Sequence, residues 1–352
     1  MRVAVAVSGG ADSLCCLPLL KERGLDLVAV HGFFLPPPED RSGVDALAGQ
    51  CAALGVPFHA IDLHQAFRRE VIAPFAREYA AGRTPNPCAL CNPRMKFGLL
   101  FDAARERGAT HIATGHYATM LDVPGQGRAL ARGADPVKDQ SYFLSLVPRE
   151  RLEQAIFPLG TWRKEAVKAL LRERGITPPL PAESQEICFI PDDDYCAFLE
   201  SGNAPLDSPL PGPGPIVLAN GTRLGTHGGL WRYTLGQRRG MGIAYAEPLY
   251  VVGKDVAANA LVVGTGDALA SHGCTVRDLN LLAPFALWPP TILVQTRYRQ
   301  RAKPATATLE DTPGGPRLRL AFIEPHSLPA PGQIAAVYAS DGTVLGGGII
   351  EG

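Results

Sequence analysis

Three groups of residues have types and spacings suited to chemistry. The first is Ser8-Gly9-Gly10-Ala11-Asp12-Ser13, between the alternating run Val3–Val7 and a helix-like run from Leu14 to Arg23. A strand, a glycine-bearing turn and a helix start present backbone N–H groups to an anion. Gly9 and Gly10 let the backbone approach that anion closely. Ser8 and Ser13 add hydroxyl donors, and Asp12 is placed to hold magnesium beside phosphates. No Gly-Lys-Ser/Thr follows, so this is not a Walker loop. The plain alternative is a tight strand-to-helix turn.

The second group is Gly82-Arg83-Thr84-Pro85-Asn86-Pro87-Cys88-Ala89-Leu90-Cys91-Asn92-Pro93. Its prolines stiffen the loop and predict that helix is blocked until Pro93, which opens one running to about Arg107. Cys88 and Cys91 would then sit at a helix start, where the dipole lowers a thiol pKa. The third group is Ala182 to Ile190, with Cys188 in a short apolar run. By itself Cys188 reads as a buried structural thiol. Cys15, Cys16, Cys51, Cys196 and Cys274 read as packing residues.

Further stretches are suited to binding. His31-Gly32-Phe33-Phe34-Leu35 offers an apolar wall for a nucleobase, or plain core. Gly115 ends the strand-like run Thr110–Thr114, and His116 beside it reads as a hydrogen-bonding residue rather than a base. Lys138 suits a phosphate. Asp139 and Gln140 suit an RNA edge, with helix capping the equal alternative for Asp139. Trp231 to Gly240 and Arg297-Tyr298-Arg299-Gln300-Arg301 combine arginine with aromatics, as phosphate contact and base stacking require.

The elements that must position these groups follow a simple order. Residues 2–7, 26–31 and 57–61 read as strands, with helices near 14–23 and 44–54. That alternation predicts a parallel sheet covered on both faces, with ligands beyond the carboxyl ends of its strands. Residues 148–200 read as helical. A Pro/Gly-rich stretch over 205–215 marks a boundary, and short strands beyond it predict small antiparallel β domains, barrels by expectation. The boundaries are placed at 1–147, 148–205, 206–270 and 271–352. The chain has 352 residues, a formal net charge of zero and 46% hydrophobic residues. Nucleic-acid binding must therefore come from local clusters rather than overall charge. No leader or membrane span is expected, so the chain reads as cytoplasmic, with its eight cysteines reduced.

In order and number, SGGADS, TPNPCALCN, TGHYA, KDQSYFL, ESQEICFI, GTHGGLWRYTLGQRRGMGI, RYRQ and LGGGII resemble the tRNA-uridine 2-sulfurtransferases, the MnmA family. The first motif resembles the PP-loop of ATP pyrophosphatases. The resemblance implies an α/β PP-loop domain, adenine nucleotide α-hydrolase-like, then a small central domain and a C-terminal antiparallel β-barrel. It implies tRNA as substrate, ATP with Mg²⁺, and a sulfur donor carrying persulfide or hydrosulfide. By likeness, ATP contacts fall on Ala6, Val7, Ser8, Gly9, Gly10, Ala11, Asp12, Ser13, Leu35 and Gly115. tRNA contacts fall on Asn86, Pro87, Cys88, Lys138, Asp139, Gln140, Arg297 and Tyr298. Cys188 would carry a persulfide, with Cys91 the second catalytic thiol. Cys88 stands where many members have aspartate, so Cys88, Cys91 and Cys188 are also a candidate ligand set for a 4Fe–4S cluster. Zinc on the same thiols lacks an obvious fourth ligand. Another PP-loop ligase and a metal-stabilised RNA-binding protein are the competing classes.

Overall fold

The computed structural model describes residues 1–123, 127–179, 187–206 and 209–351. It divides into two compact units. One comprises Met1–Val71, Cys88–Asp193 and Asp341–Leu345; the other comprises Ile72–Pro87, Asp194–Ser340 and Gly346–Gly352.

The first unit is built on a parallel sheet. Its strands are β1 (Arg2–Ala6), β2 (Asp26–Phe33), β3 (Phe58–Asp62), β4 (His111–Ala113) and β7 (Ala155–Ile156), in the order β3-β2-β1-β4-β7. Helix α1 (Ala11–Lys21) joins β1 to β2, and α2 (Ser42–Ala53) joins β2 to β3. Val3, Ala4 and Val5 are wholly buried, as expected for a strand covered on both faces. Leu14, Leu17, Leu47, Cys51, Val167 and Leu171 pack around them. The strand order reverses at β1, which pairs with β2 on one side and β4 on the other. A ligand crevice belongs at that reversal, beyond the strand ends. A hairpin of β5 (Ala118–Val123) and β6 (Gly127–Arg132) follows β4.

The second unit holds two β assemblies. Strands β8 (Gly214–Leu218), β9 (Arg223–His227), β10 (Tyr250–Asp255) and β11 (Ala260–Gly264) form a sheet in the order β10-β11-β8-β9. The expectation of antiparallel pairing is corrected here, because β11 and β8 run parallel. Strands β12 (Ala270–Leu281), β13 (Ile292–Gln295), β14 (Lys303–Thr312), β15 (Gly315–Ser327), β16 (Ile334–Tyr338) and β17 (Val344–Ile350) close into a barrel. Closure leaves no unpaired strand edge.

Two expectations about helices are also corrected. Residues 148–200 are not uniformly helical, since β7 interrupts them before the helix Lys164–Glu173. The helix carrying the first cysteine pair starts at Pro87, not Pro93. Proline suits a first helical position because that N–H has no intrahelical partner. Pro93 is absorbed inside the run, where the turns widen to π-helical over Asn92–Leu100. Among the described residues no helix is long and apolar enough to cross a membrane.

Candidate functional site

The turn after β1 is ordered by its own side chains. Ser8 N donates to Ser13 Oγ at 3.1 Å, and Ser13 Oγ donates to the Gly10 carbonyl at 2.9 Å. Gly9 turns the chain at φ +85°, a conformation that favours glycine. The first N–H groups of α1 lack intrahelical acceptors by geometry, which leaves them suited to an anion. Val7 is already committed: its N–H bonds Val30 O, and its carbonyl meets His31 Nδ1 at 2.8 Å. Ala6 lies in β1, and Leu35 stands exposed just past β2. Gly115 closes the other side of the crevice. A Cβ there would lie 2.8 Å from Asp12 C and 2.9 Å from Ser13 N, so only glycine lets the two strand-end loops meet.

Asp12 has partners that its motif does not reveal. Lys164 Nζ donates to both carboxylate oxygens, at 2.6 and 2.7 Å, and the Tyr117 hydroxyl donates to Oδ1 at 2.8 Å. Lys164 is buried, and its backbone N–H bonds Asp135 Oδ2 at 3.1 Å. A magnesium ion expected on Asp12 would have to share those oxygens with an ammonium, so this carboxylate does not fit as a free metal ligand. Tyr117 is held neutral, because burial and the facing Asp12 both raise its pKa.

The cysteines form the second half of the site. Cys91 is buried, whereas Cys88 and Cys188 are exposed. Cys188 therefore corrects the buried reading: its neighbours Phe189 and Ile190 face the core instead, Phe189 edge-on to Phe67. The three thiols lie within electrostatic reach of one another. Burial pushes Cys91 up to about 12; Lys96 pulls it down, and Cys188 and Cys88 push it further up. Surrounding protein also partly desolvates Cys88 and Cys188, surface-reaching as they are, and raises both, with Lys96 again opposing the rise. The expectation of thiols acidified by the helix start is thus reversed, because desolvation of the thiolate outweighs the nearby cation.

Lys96 is a residue the sequence reading missed. It lies on the same helical run as Cys91, and its Nζ donates to His116 Nε2 at 3.4 Å. His116 is buried and kept neutral, since burial and Lys96 both lower its pKa. Its Nδ1–H donates to Thr114 Oγ1 at 2.8 Å. Among the described residues no carboxylate pairs with Lys96. Lys96, whose charge reaches the thiols, thus bonds His116, and the adjoining Gly115 packs on the Asp12–Ser13 backbone. The one available signal was the position of Lys96, five residues after Cys91.

Other expected contact residues have structural partners. Asp139 Oδ2 accepts from Arg132 Nη1 at 2.7 Å and from Ser141 Oγ at 3.0 Å. Its Oδ1 accepts from the N–H groups of Gly133 and Ser141. That geometry favours the capping reading of Asp139 over an RNA contact. Gln140 exchanges hydrogen bonds with the Tyr117 backbone. Lys138 is half-buried. In the second unit, Asn86 and Pro87 precede Cys88, Arg297 is exposed, and Arg299 stacks over Tyr298 at 5.6 Å. Residues 182–186, expected in the Cys188 motif, lie outside the described residues.

A reversed parallel sheet with an anion turn, serving clustered thiols, defines a nucleotide-binding α/β protein with sulfur chemistry at hand. Family models agree with it in three segments: "tRNA methyl transferase HUP domain" over residues 1–192, "tRNA methyl transferase PRC-barrel domain" over 209–265, and "Aminomethyltransferase beta-barrel domain" over 271–350. A tRNA-specific 2-thiouridylase MnmA from Nitratidesulfovibrio vulgaris (Miyazaki F) is 57% identical, over 100% of this chain and 99% of that protein. Those of Lawsonia intracellularis and Geobacter metallireducens are 48% and 40% identical, each over 99% of this chain and over 99% and 96% of their own length. The solved U34-tRNA thiolase NcsA from Methanococcus maripaludis, with its [4Fe-4S] cluster, matches with a TM-score of 0.36 and 17% identity over 57% of this chain and 63% of that chain. That likeness is too loose to carry an inference. The chain belongs to the family of the tRNA-specific 2-thiouridylases.

Proposed function

We propose that this chain is a tRNA-uridine 2-sulfurtransferase that uses ATP to thiolate the wobble uridine. What supports this reading is that Cys91 lies within electrostatic reach of Cys188 and Lys96, and that Lys96 bonds His116 beside the glycine that packs on the anion turn. The C2 oxygen of uracil is a poor leaving group and must be activated. That oxygen attacks the α-phosphorus of ATP, pyrophosphate leaves, and the turn at Ser8–Ser13 steadies the phosphates. Cys188 carries a persulfide loaded by an external sulfur donor. The Cys91 thiolate attacks the Cys188 Sγ and breaks its S–S bond, so that hydrosulfide leaves and a Cys91–Cys188 disulfide forms. Hydrosulfide adds at C2 and AMP departs with the oxygen. A thiol reductant supplies two electrons to reopen the disulfide. The direct test is nucleoside analysis of unmodified tRNA after reaction with ATP and a persulfide donor. 2-Thiouridine is expected, and its absence under both aerobic and anaerobic conditions would overturn the assignment.

A 4Fe–4S cluster on Cys88, Cys91 and Cys188 has the right donor type. Among the described residues, however, no three such side chains are gathered at metal-holding distance. Accordingly, the Cys88→Ser protein, purified without oxygen and reconstituted with iron and sulfide, is expected to retain at least half its activity and show no broad visible absorbance. Loss of activity together with loss of a visible chromophore present in the unmutated protein would restore the cluster reading.

Lys96 is proposed to ease deprotonation of the attacking sulfur. Since burial raises Cys91 to about 12, its alkylation rate is expected to climb with pH and reach no plateau near 9. The Lys96→Met change removes the cation that counters this rise. Alkylation of Cys91 at pH 8, read by mass spectrometry, should slow about tenfold for each unit of further rise. Lys96→Arg should preserve it. Equal rates in all three proteins would remove Lys96 from the chemistry.

A further inference from the structure

We infer that the second unit contains a binding site for a phosphate-class anion, centred on Lys254. A cavity of about 770 Å³ lies among Glu78, Arg83, Thr84, Lys254, Arg277 and Glu351. The other charged groups of this wall have partners. Arg83 is clamped by Glu78 through two bonds, at 2.6 and 2.7 Å. Arg277 lies 3.8 Å from Glu78 and also pairs with Asp278. Glu351 is bound by Arg317 at 3.0 Å. Asp255, also on the wall, accepts the Ala258 N–H at 2.9 Å. Lys254 differs: its Nζ is buried and, among the described residues, has no hydrogen-bond partner. Desolvation lowers its pKa to about 8.

A buried ammonium without a counter-ion destabilises the fold unless something supplies the charge. The cavity that Lys254 lines has room for a phosphate with a flanking sugar, two guanidinium groups stand on the same wall, and a turn of the lysine side chain would bring its ammonium to the anion. An oxyanion there would complete the set. The wall is also well fixed. Thr84 N–H donates to Pro331 O at 2.8 Å, and Gln333 Nε2 donates to the carbonyls of Thr84 and Pro85 at 3.0 and 3.1 Å. The segment thus braced leads, four residues on, to Cys88. The oxyanion has two sources with the same chemistry: a phosphodiester of the tRNA backbone, or free phosphate. The free-phosphate source is independent of the thiolation reading, whereas the tRNA source rests on it.

The site is tested through the lysine itself. The chain has few lysines, so reductive ¹³C-methylation gives a resolvable spectrum, and the signal missing from Lys254→Arg assigns position 254. In buffer without phosphate its titration is expected to be depressed. Inorganic phosphate alone, or unmodified tRNA alone, should move it up by about one unit. A shift with phosphate only assigns a free-anion site, and a shift with tRNA assigns a backbone contact. The thermal midpoint provides the second readout. Lys254→Met should melt higher than the unmutated protein in phosphate-free buffer and should lose the phosphate-dependent rise. An unperturbed lysine that ignores both ligands would overturn the inference, whatever the outcome for thiolation.

Discussion

The Cys188→Ser protein is expected to form no 2-thiouridine, a loss of at least about a thousandfold, while still releasing pyrophosphate from ATP in the presence of tRNA. A serine hydroxyl cannot carry a persulfide, so the activating half of the reaction would run without the sulfur half. Cys91→Ser should give the same loss for a different reason. Its persulfide would still load on Cys188, but the thiolate assigned to attack it would be gone. The two variants are separable by mass spectrometry after incubation with a persulfide donor: Cys91→Ser should retain an added sulfur on the peptide of Cys188, and Cys188→Ser should show none there. The exposure of Cys188 fits a thiol that must meet an external donor, and the burial of Cys91 fits one that must meet only Cys188. Full thiolation by either variant would remove that cysteine from the mechanism.

The second large effect is expected at the buried end of the anion turn. Among the described residues, Lys164→Met leaves the Asp12 carboxylate with the Tyr117 hydroxyl as its remaining side-chain partner. Breaking a buried ion pair from one side costs about 3 kcal/mol or more, because the remaining charge stays desolvated. The cost here should fall at the low end, since the Asp12 side chain is 31% exposed while that of Lys164 is 6% exposed. The thermal midpoint should fall, and tRNA-dependent pyrophosphate release should fall with it, at least about a hundredfold. Removing the stranded charge separates these effects. The double change Asp12→Asn with Lys164→Met should recover most of the lost stability and none of the ATP chemistry. Recovery of both would mean that the pair serves only the fold.

How much of this was legible beforehand follows from range along the chain. The parallel sheet was readable because each strand and helix reports its own burial: Val3–Val5 and Leu14–Leu20 are apolar runs between turn residues. The anion turn was readable because its serines and glycines bond within a single turn. The parallel β8–β11 pair was not, since local pattern specifies a strand but not its neighbour's direction. The helix start at Pro87 was misjudged because proline is permitted at two places in that run, and local rules do not choose between them.

The sequence by itself determined the inventory: an anion turn, thiols of the right kind, and a family likeness over the whole chain. Only the tertiary structure decided which thiols come within electrostatic reach of one another, that Cys188 is exposed, that Lys164 pairs with Asp12 and that the charge of Lys96 bears on the sulfurs. The physical reason is that electrostatic and desolvation effects depend on distance and burial in space. Residues far apart along a polymer acquire those only when the sheet brings its strand ends together.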